Sequence, residues 1–158
     1  MTDGAHVAND LRIRDLQQED LQGVIRIDEM HVGDADPTYW REVLDGFLRP
    51  RRRLPGVGLA ADGPHGLVGY LLGEVRAFEF GSEACGWIFG VGVDPACTRQ
   101  RVASRLLAEC CCRFRGMGVS RVRTMVERDN VPVLSLFRAN GFLHGSFVQL
   151  ELDLEDET

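Results

Sequence analysis

Hydrophobic and polar positions along this chain follow two different periods, and these distinguish strands from helices. Apolar residues alternate with polar ones in some segments and recur every three or four positions in others. The pattern predicts strands at 11–14, 57–61, 67–80, 84–93, 119–126 and 147–154, and helices at 17–30, 39–47, 102–114 and 131–139. This interleaving predicts one domain of the mixed α/β (α+β) class, a mixed sheet with helices on its faces.

The segment Ala84–Val93 differs from the other predicted strands because it carries no charged residue. A strand of this composition is expected to be buried on both faces. Its three glycines, Gly86, Gly90 and Gly92, are unusual inside a strand, and they indicate either a bulge or a place where another molecule approaches the backbone.

The final predicted strand, Phe147–Leu154, alternates clearly between aliphatic and polar residues. Its aliphatic side chains should share one face. That face is either part of the core or the contact surface of a homodimer, and the sequence leaves both open. We expect the domain to span 11–154, with a disordered leader over 1–10 and an acidic tail over 155–158.

The stretch from Val91 to Leu107 carries the candidate chemistry. An apolar strand leads through a proline into a short polar loop and then into an amphipathic helix. The first N–H groups of a helix have no intrahelical acceptors and lie at the positive end of its dipole. Arg99, Arg101 and Arg105 surround this helix start. The stretch therefore predicts an anion-binding site, for phosphate in particular.

Composition and charge narrow the classes of function. The net charge of −6 argues against nucleic acid as a general partner and suits a cationic substrate. The chain has no lysine, which excludes lysine chemistry. It has neither an apolar run long enough to span a bilayer nor a secretory signal, so we expect a cytoplasmic protein without membrane contact. The five cysteines show neither a disulfide framework nor zinc-ligand spacing, and no metal site is expected.

Two segments and the order of elements together resemble the Gcn5-related N-acetyltransferase (GNAT) superfamily. In the first segment, Val93, Pro95, Val102, Ala103 and Leu106-Leu107 match the family's cofactor loop and the helix after it. In the second, the family's Asn, apolar, Tyr and Gly-Phe positions are occupied by Asn130, Val133, Phe137 and Gly141-Phe142. The resemblance implies a mostly antiparallel mixed sheet with a splayed centre, flanked by about four helices.

The resemblance implies acetyl-CoA as the cofactor. The pantetheine arm would add to a strand edge formed by Val91, Gly92 and Val93. The diphosphate would lie against the backbone N–H groups of Arg99, Gln100, Arg101, Val102, Ala103 and Ser104. This position coincides with the anion site that the helix start predicts.

The chain departs from the family pattern at the thioester and in the loop. By resemblance, Asn130 and Phe137 would flank the acetyl thioester, but many members carry at the position of Phe137 a tyrosine proposed to protonate the leaving thiolate. Met125 stands where some members carry a glutamate base. Arg101 stands where the loop has a glycine, so its side chain must turn away from the phosphate. An alkyl thiolate leaves with little assistance, so transfer without that acid is feasible.

The sequence supports two functions of different classes. The first is an acetyl-CoA-dependent N-acetyltransferase that moves an acetyl group to a primary amine by direct transfer in a ternary complex. The acceptor would be a small cationic amine or a protein N-terminus, and Glu127 is the first candidate for a base, ahead of Glu83, Glu74 and Tyr70. The second is an acyl-CoA-binding sensor or scaffold without catalysis, which Phe137 and Met125 keep open.

Overall fold

The computed structural model describes residues 10–50, 53–77 and 81–155, with the side chains of residues 98–100 left out. Its elements are β1 (Arg12–Asp15), α1 (Leu21–Val32), α2 (Pro37–Phe47), β2 (Gly56–Gly63), β3 (Gly66–Arg76), β4 (Cys85–Val93), α3 (Val102–Gly116), β5 (Val122–Thr124) and α4 (Val131–Ala139). The predicted mixed α/β class is confirmed. Most of the expected leader and acidic tail lies outside the described residues.

One sheet in the order β1-β2-β3-β4-β5 forms the centre of the molecule. The first four strands are antiparallel, and β5 runs parallel to β4. Aliphatic side chains of α3, with Phe114 and with Phe137 of α4, pack on one face of the sheet. Side chains of α1 and α2, with Trp40 and Leu44 fully or almost fully buried, pack on the other. The sheet is therefore covered on both faces.

A buried ion pair fixes the start of α1 against the sheet. Arg14 of β1 donates to both carboxylate oxygens of Asp20, at 2.7 and 2.8 Å, and to Asp62 of β2 at 2.6 and 3.0 Å. Burial alone would raise the pKa of Asp20, but Arg14 and the backbone N–H of Gln17 together hold it below its ordinary value. Asp20 thus remains charged inside the protein because Arg14 is paired with it.

Two of the three β4 glycines accommodate side chains of the protein itself. A Cβ on Gly86 would lie within 2.6–2.8 Å of the Phe114 ring, and one on Gly92 would lie 2.6 Å from the Tyr70 ring. Both rings are buried. Internal packing therefore accounts for both glycines, so their presence is not by itself evidence that another molecule approaches this strand. Phe89, at 37% exposure, also corrects the expectation that this strand is buried on both faces.

The structure corrects the two last predicted strands. The strand expected at 119–126 is confined to Val122–Thr124. Residues 147–154 form no strand, and Val148, Leu150, Leu152 and Leu154 are 79–90% exposed. The strict alternation of this segment satisfies the local requirement for a strand. However, among the described residues no strand lies beside this segment, and a β-ladder forms only between two neighbouring strands.

Candidate active site

The pairing of β4 with β5 ends part-way along β4, and the space beyond that point, bordered by the unpaired β4 edge, is called the cleft. Their ladder ends at the pair Ile88 and Thr124, and the Thr124 hydroxyl donates to the Ile88 carbonyl at 3.0 Å. β4 continues to Val93 without a parallel partner. The pairing of β4 with β3 shifts at Phe89, which adds one residue to β4 as a bulge at the apex of the cleft.

The open edge of β4 presents backbone groups to this cleft. The N–H of Asp94 donates to the Val68 carbonyl of β3 at 2.8 Å. Bonded and non-bonded pairs alternate along an antiparallel ladder, so Gly92 also bonds toward β3. The N–H and C=O groups of Val91 and Val93 therefore point into the cleft. His31 of α1 donates through Nε2 to the Val93 carbonyl at 2.7 Å, which leaves that oxygen a second lone pair.

The loop after β4 is held by contacts from α1. Asp94 accepts from the N–H of Ala96 at 3.0 Å and caps a short 3-10 turn, Pro95–Gln100. Arg26 donates to Asp94 at 3.0 Å and to the Leu67 carbonyl at 2.6 Å. The Arg26 guanidinium, followed by the Ala96 N–H, lowers the pKa of Asp94. The loop thus reaches the start of α3 in a fixed path.

The first turn of α3 faces this loop without a side-chain cap. Arg101 occupies the N-cap position and makes no capping hydrogen bond with its side chain. The N–H groups of residues 102–104 therefore remain free of intrahelical acceptors, as in any first turn. Asn140 of α4 donates to the Ser104 hydroxyl at 3.1 Å and to the Leu136 carbonyl at 2.8 Å. This bridge joins the end of α4 to the start of α3.

Arg101 adopts the left-handed backbone conformation, with φ 57° and ψ 28°. It is the one non-glycine residue with positive φ among the described residues. A side chain at this position is ordinarily compatible with negative φ only, so the positive φ of Arg101 is unexpected from the residue type. The left-handed backbone conformation at this position thus explains the glycine of the family pattern. An arginine adopts the same conformation at a cost of roughly 1–2 kcal/mol.

We expect Arg101→Gly to raise the free energy of unfolding by about 0.5–1 kcal/mol. Glycine relieves the strain of the left-handed conformation, and its greater backbone entropy in the unfolded chain offsets part of that gain. Chemical denaturation measures the change. Arg101→Ala is the matched control, because it removes the charge and retains the Cβ. Equal stability of the two variants would show that the strain at this position is negligible.

The candidate residues around the thioester lie in different surroundings. Asn130 is the N-cap of α4, and its side-chain oxygen accepts from the Val133 N–H at 3.3 Å. Phe137 is 4% exposed and packs edge-on against Phe142, with ring centroids 4.9 Å apart. Glu127 is exposed in the turn between β5 and α4, and Met125 is 59% exposed just after β5.

The other proposed bases are less free to act. Tyr70 is buried, and burial followed by the charge of Asp28 raises its pKa, so it holds its proton. Glu74 is paired with Arg76 at 2.6 Å. Glu83 is exposed, well before the bulge. Among these carboxylates, Glu127 lies three residues after the end of β5, the strand that separates from β4 at the cleft.

An aromatic surface flanks the apex of the cleft. Phe89, the bulge residue, lies 6.2 Å from Phe47 of α2 between ring centroids. The Arg76 guanidinium lies over the Phe89 and Trp87 rings, at 5.9 and 5.3 Å. A molecule approaching the apex along this side meets apolar rings. The described residues contain no cluster of side chains that could hold a metal ion.

The family model described as the acetyltransferase (GNAT) family matches residues 12–142. The chain belongs to this family. The match extends from β1 to Phe142, three residues beyond α4, and so includes the cleft, the loop and both helix starts. The resemblance stated from the two sequence segments is thereby confirmed.

Two mycothiol acetyltransferases are similar in sequence. That of Nocardioides sp. (strain ATCC BAA-499 / JS614) is 28% identical over 118 residues, 71% of this chain and 40% of that protein. That of Segniliparus rotundus is 28% identical over 87 residues, 55% of this chain and 33% of that protein. The chain thus spans less than half the length of the curated relatives it matches.

Solved structures of the same fold include aminoglycoside acetyltransferases. The aminoglycoside antibiotic 6'-N-acetyltransferase of Acinetobacter haemolyticus superposes with a TM-score of 0.74 at 19% identity, covering 90% of this chain and 97% of that one. AAC(6')-Iy, in complex with a CoA-S-monomethyl-acetylneamine bisubstrate analog, gives 0.77 at 15% identity, with the same coverage. At these identities the likeness shows the fold alone.

Sequence reasoning missed the residues that brace the site. Arg26, His31 and Asn140 reach the loop, the β4 edge and α3 from elements distant in sequence. None lies in a motif, and a contact between distant elements leaves no periodic signal. The one hint was that Arg26 and His31 are polar residues of α1. Polar residues also form the solvated face of any amphipathic helix, so this hint does not distinguish a bracing contact from ordinary solvent exposure.

Proposed function

We propose that this chain is an acetyl-CoA-dependent N-acetyltransferase that acts on a primary amine by direct transfer in a ternary complex. The observation that carries the proposal is the juxtaposition of an open β4 edge with the uncapped start of α3. The edge fits a pantetheine arm, which carries amides that pair like a strand, and the helix start fits a diphosphate. Both features lie within the region that the family model matches.

The residues of the cleft would align the reactants. Acetyl-CoA supplies a thioester whose carbonyl carbon the amine attacks as the C–S bond breaks and the thiolate leaves. The Val91 N–H, which points into the cleft, is placed to polarise a carbonyl near the bulge. Phe137 has no proton to donate, so the thiolate departs unprotonated or takes a proton from water. Alignment is the main contribution, and in good cases it lowers a barrier by about 7–11 kcal/mol.

We propose a small cationic amine as the acceptor, with a protein N-terminus as the alternative. The net charge is −6, and the exposed Glu127 and Asp129 follow β5 at the cleft. The relatives named for mycothiol and aminoglycosides act on small molecules, as their names state.

Every helix of the described residues is too short or too polar to cross a membrane. We place the activity in the cytoplasm, where five unbridged cysteines would stay reduced.

Release of free thiol from acetyl-CoA in the presence of an amine panel tests the activity. Amino sugars, polyamines and short peptides with a free N-terminus should be compared at equal concentration, and the proposal expects release with an amino sugar or a polyamine. Release with the peptides alone would favour the protein N-terminus. Binding of acetyl-CoA without release for any amine would favour the sensor or scaffold.

We expect Glu127→Gln to lower kcat about 10-fold at neutral pH. The carboxylate would accept the amine proton through a water, and an exposed base at that distance contributes less than the 100-fold or more of a base in direct contact. Asp129→Asn is the matched control, since it removes an exposed carboxylate two residues away. An unchanged kcat for Glu127→Gln would exclude this base.

A further inference from the structure

One side chain of α1 reaches the open edge of β4. His31 lies in the last turn of α1, and its Nε2 is 2.7 Å from the carbonyl oxygen of Val93. A carbonyl oxygen has no hydrogen to donate, so Nε2 is the donor in this contact. His31 is exposed and belongs to neither core cluster. Its contact with β4 is therefore polar, and the packing of the core does not account for it.

The peptide group that joins Val93 to Asp94 is held on both sides. Its N–H donates to the Val68 carbonyl of β3 at 2.8 Å, and its C=O accepts from His31. A peptide group is planar, so hydrogen bonds at its two opposite ends fix the direction in which the carbonyl points. On an ordinary free edge the outward carbonyl has no protein donor. Here its orientation is set before any ligand arrives.

The same helix holds the residue that follows. Arg26, earlier in α1, donates to the Asp94 carboxylate at 3.0 Å and to the Leu67 carbonyl at 2.6 Å. Two side chains of α1 thus act on consecutive residues, at the point where β4 ends and the loop toward α3 begins. The position of α1 therefore determines the direction of the last outward carbonyl of β4.

A ligand that pairs along this edge needs that carbonyl. Beyond the last pair with β5, the edge offers the N–H and C=O groups of Val91 and Val93. An extended chain with secondary amides, such as pantetheine, pairs with groups of this kind as an added strand does. The Val93 oxygen retains a second lone pair for such an amide. An acceptor fixed in advance need not be ordered on binding, and this preorganisation raises affinity.

We propose that His31 is a positioning residue for the pantetheine arm of acetyl-CoA, because it holds the Val93 carbonyl toward the cleft for an amide N–H of the arm. The inference rests on the proposed function, since it requires a cofactor with amides along β4. Val93 ends β4, four residues after the bulge at Phe89. The effect of His31 therefore falls on the binding of the cofactor and not on the chemical step.

A histidine at this place has an alternative role in stability alone. His31 is the basic residue of the last turn of α1, where a cation is favourable to the helix dipole. Glutamine and methionine both lack that charge, so they are equivalent with respect to the dipole. They differ in hydrogen bonding, because glutamine carries an N–H donor and methionine does not. A comparison of the two variants therefore separates the two roles.

Calorimetric titration with coenzyme A measures the hydrogen bond. We expect His31→Met to weaken binding by about 5- to 10-fold, the size of one lost hydrogen bond, and His31→Gln to stay within about 2-fold of the wild type. His65→Met is the matched control, since it is the same exchange at an exposed residue of the turn between β2 and β3. Equal affinities for the Gln and Met variants of His31 would overturn the inference.

A fragment of the cofactor locates the effect along the ligand. Adenosine 3'-phosphate 5'-diphosphate retains the phosphates of coenzyme A without the pantetheine arm, so His31→Met should bind it within about 2-fold of the wild type. With an amine that supports turnover, the same variant should raise KM for acetyl-CoA by about 5- to 10-fold and leave kcat within about 2-fold. An equal loss of affinity for the fragment and for coenzyme A would show a general disturbance of the site and overturn the role of His31.

The behaviour of the wild type distinguishes this inference from the proposed function. If the wild type gave no heat with coenzyme A, the proposed function would be contradicted, and the role of His31 with it. If the wild type bound coenzyme A and His31→Met bound it equally well, the role of His31 alone would be wrong.

Discussion

Ser104→Asp is expected to weaken the binding of coenzyme A by about 100-fold without lowering Tm. Ser104 is the third residue of α3, where a carboxylate is favourable to the helix dipole. Its carboxylate would also still accept from Asn140, which now donates to the serine hydroxyl. A diphosphate bound at the same N–H groups would meet a like charge, and at about 4–6 Å this repulsion costs roughly 3 kcal/mol.

Calorimetric titration and thermal unfolding measure the two effects on the same protein. Ala108→Asp is the matched control, because Ala108 is exposed on α3 one turn further along. It should leave the affinity within about 3-fold of the wild type, since at that distance exposed charges are largely screened. If both variants bound coenzyme A as the wild type does, the diphosphate would not lie at the start of α3.

Arg14→Ala is expected to lower the free energy of unfolding by about 3 kcal/mol. The substitution leaves the 7% exposed Asp20 without the guanidinium that binds both of its oxygens. Removing one partner of a buried ion pair costs about 3–5 kcal/mol, and partial exposure of Arg14 places this pair at the low end. Urea denaturation at neutral pH measures the loss.

The double variant Arg14→Ala with Asp20→Asn separates the charge from the packing. It should be more stable than Arg14→Ala alone, because the buried position no longer carries an uncompensated charge. In the wild type the pKa of Asp20 is lowered, so its stabilisation is present above the ordinary aspartate pKa of about 4 and is lost as the pH falls through the lowered value. Equal losses for the single and double variants would show that the charge is unimportant.

Signals within a few residues allowed most elements to be predicted. The apolar spacing predicts α2 over 39–47, and the helix begins two residues earlier, at Pro37, because the Asp36 carboxylate accepts from the N–H groups of Thr38 and Tyr39. Gly33 ends α1 in the left-handed conformation. The strand, proline and helix that predict the anion site appear in that order from Val91 to Leu107. Each of these features depends on local backbone chemistry, which the sequence contains.

What the sequence did not reveal depends on contacts between distant elements. Gly86 and Gly92 are required by the rings of Phe114 and Tyr70, which come from other elements. The segment 147–154 has the alternation of a strand, yet a strand also requires a free edge within reach. The backbone conformation of Arg101 is a third case, since the residue type at that position argues against positive φ.

A calorimetric comparison of coenzyme A, its 3'-dephospho form and pantetheine most directly tests whether backbone amides at the head of α3 hold the diphosphate. The first two ligands retain the diphosphate and should bind with affinities within about 10-fold of each other, whereas pantetheine should bind at least about 100-fold more weakly. No heat with coenzyme A, or equal affinity for pantetheine, would contradict the account.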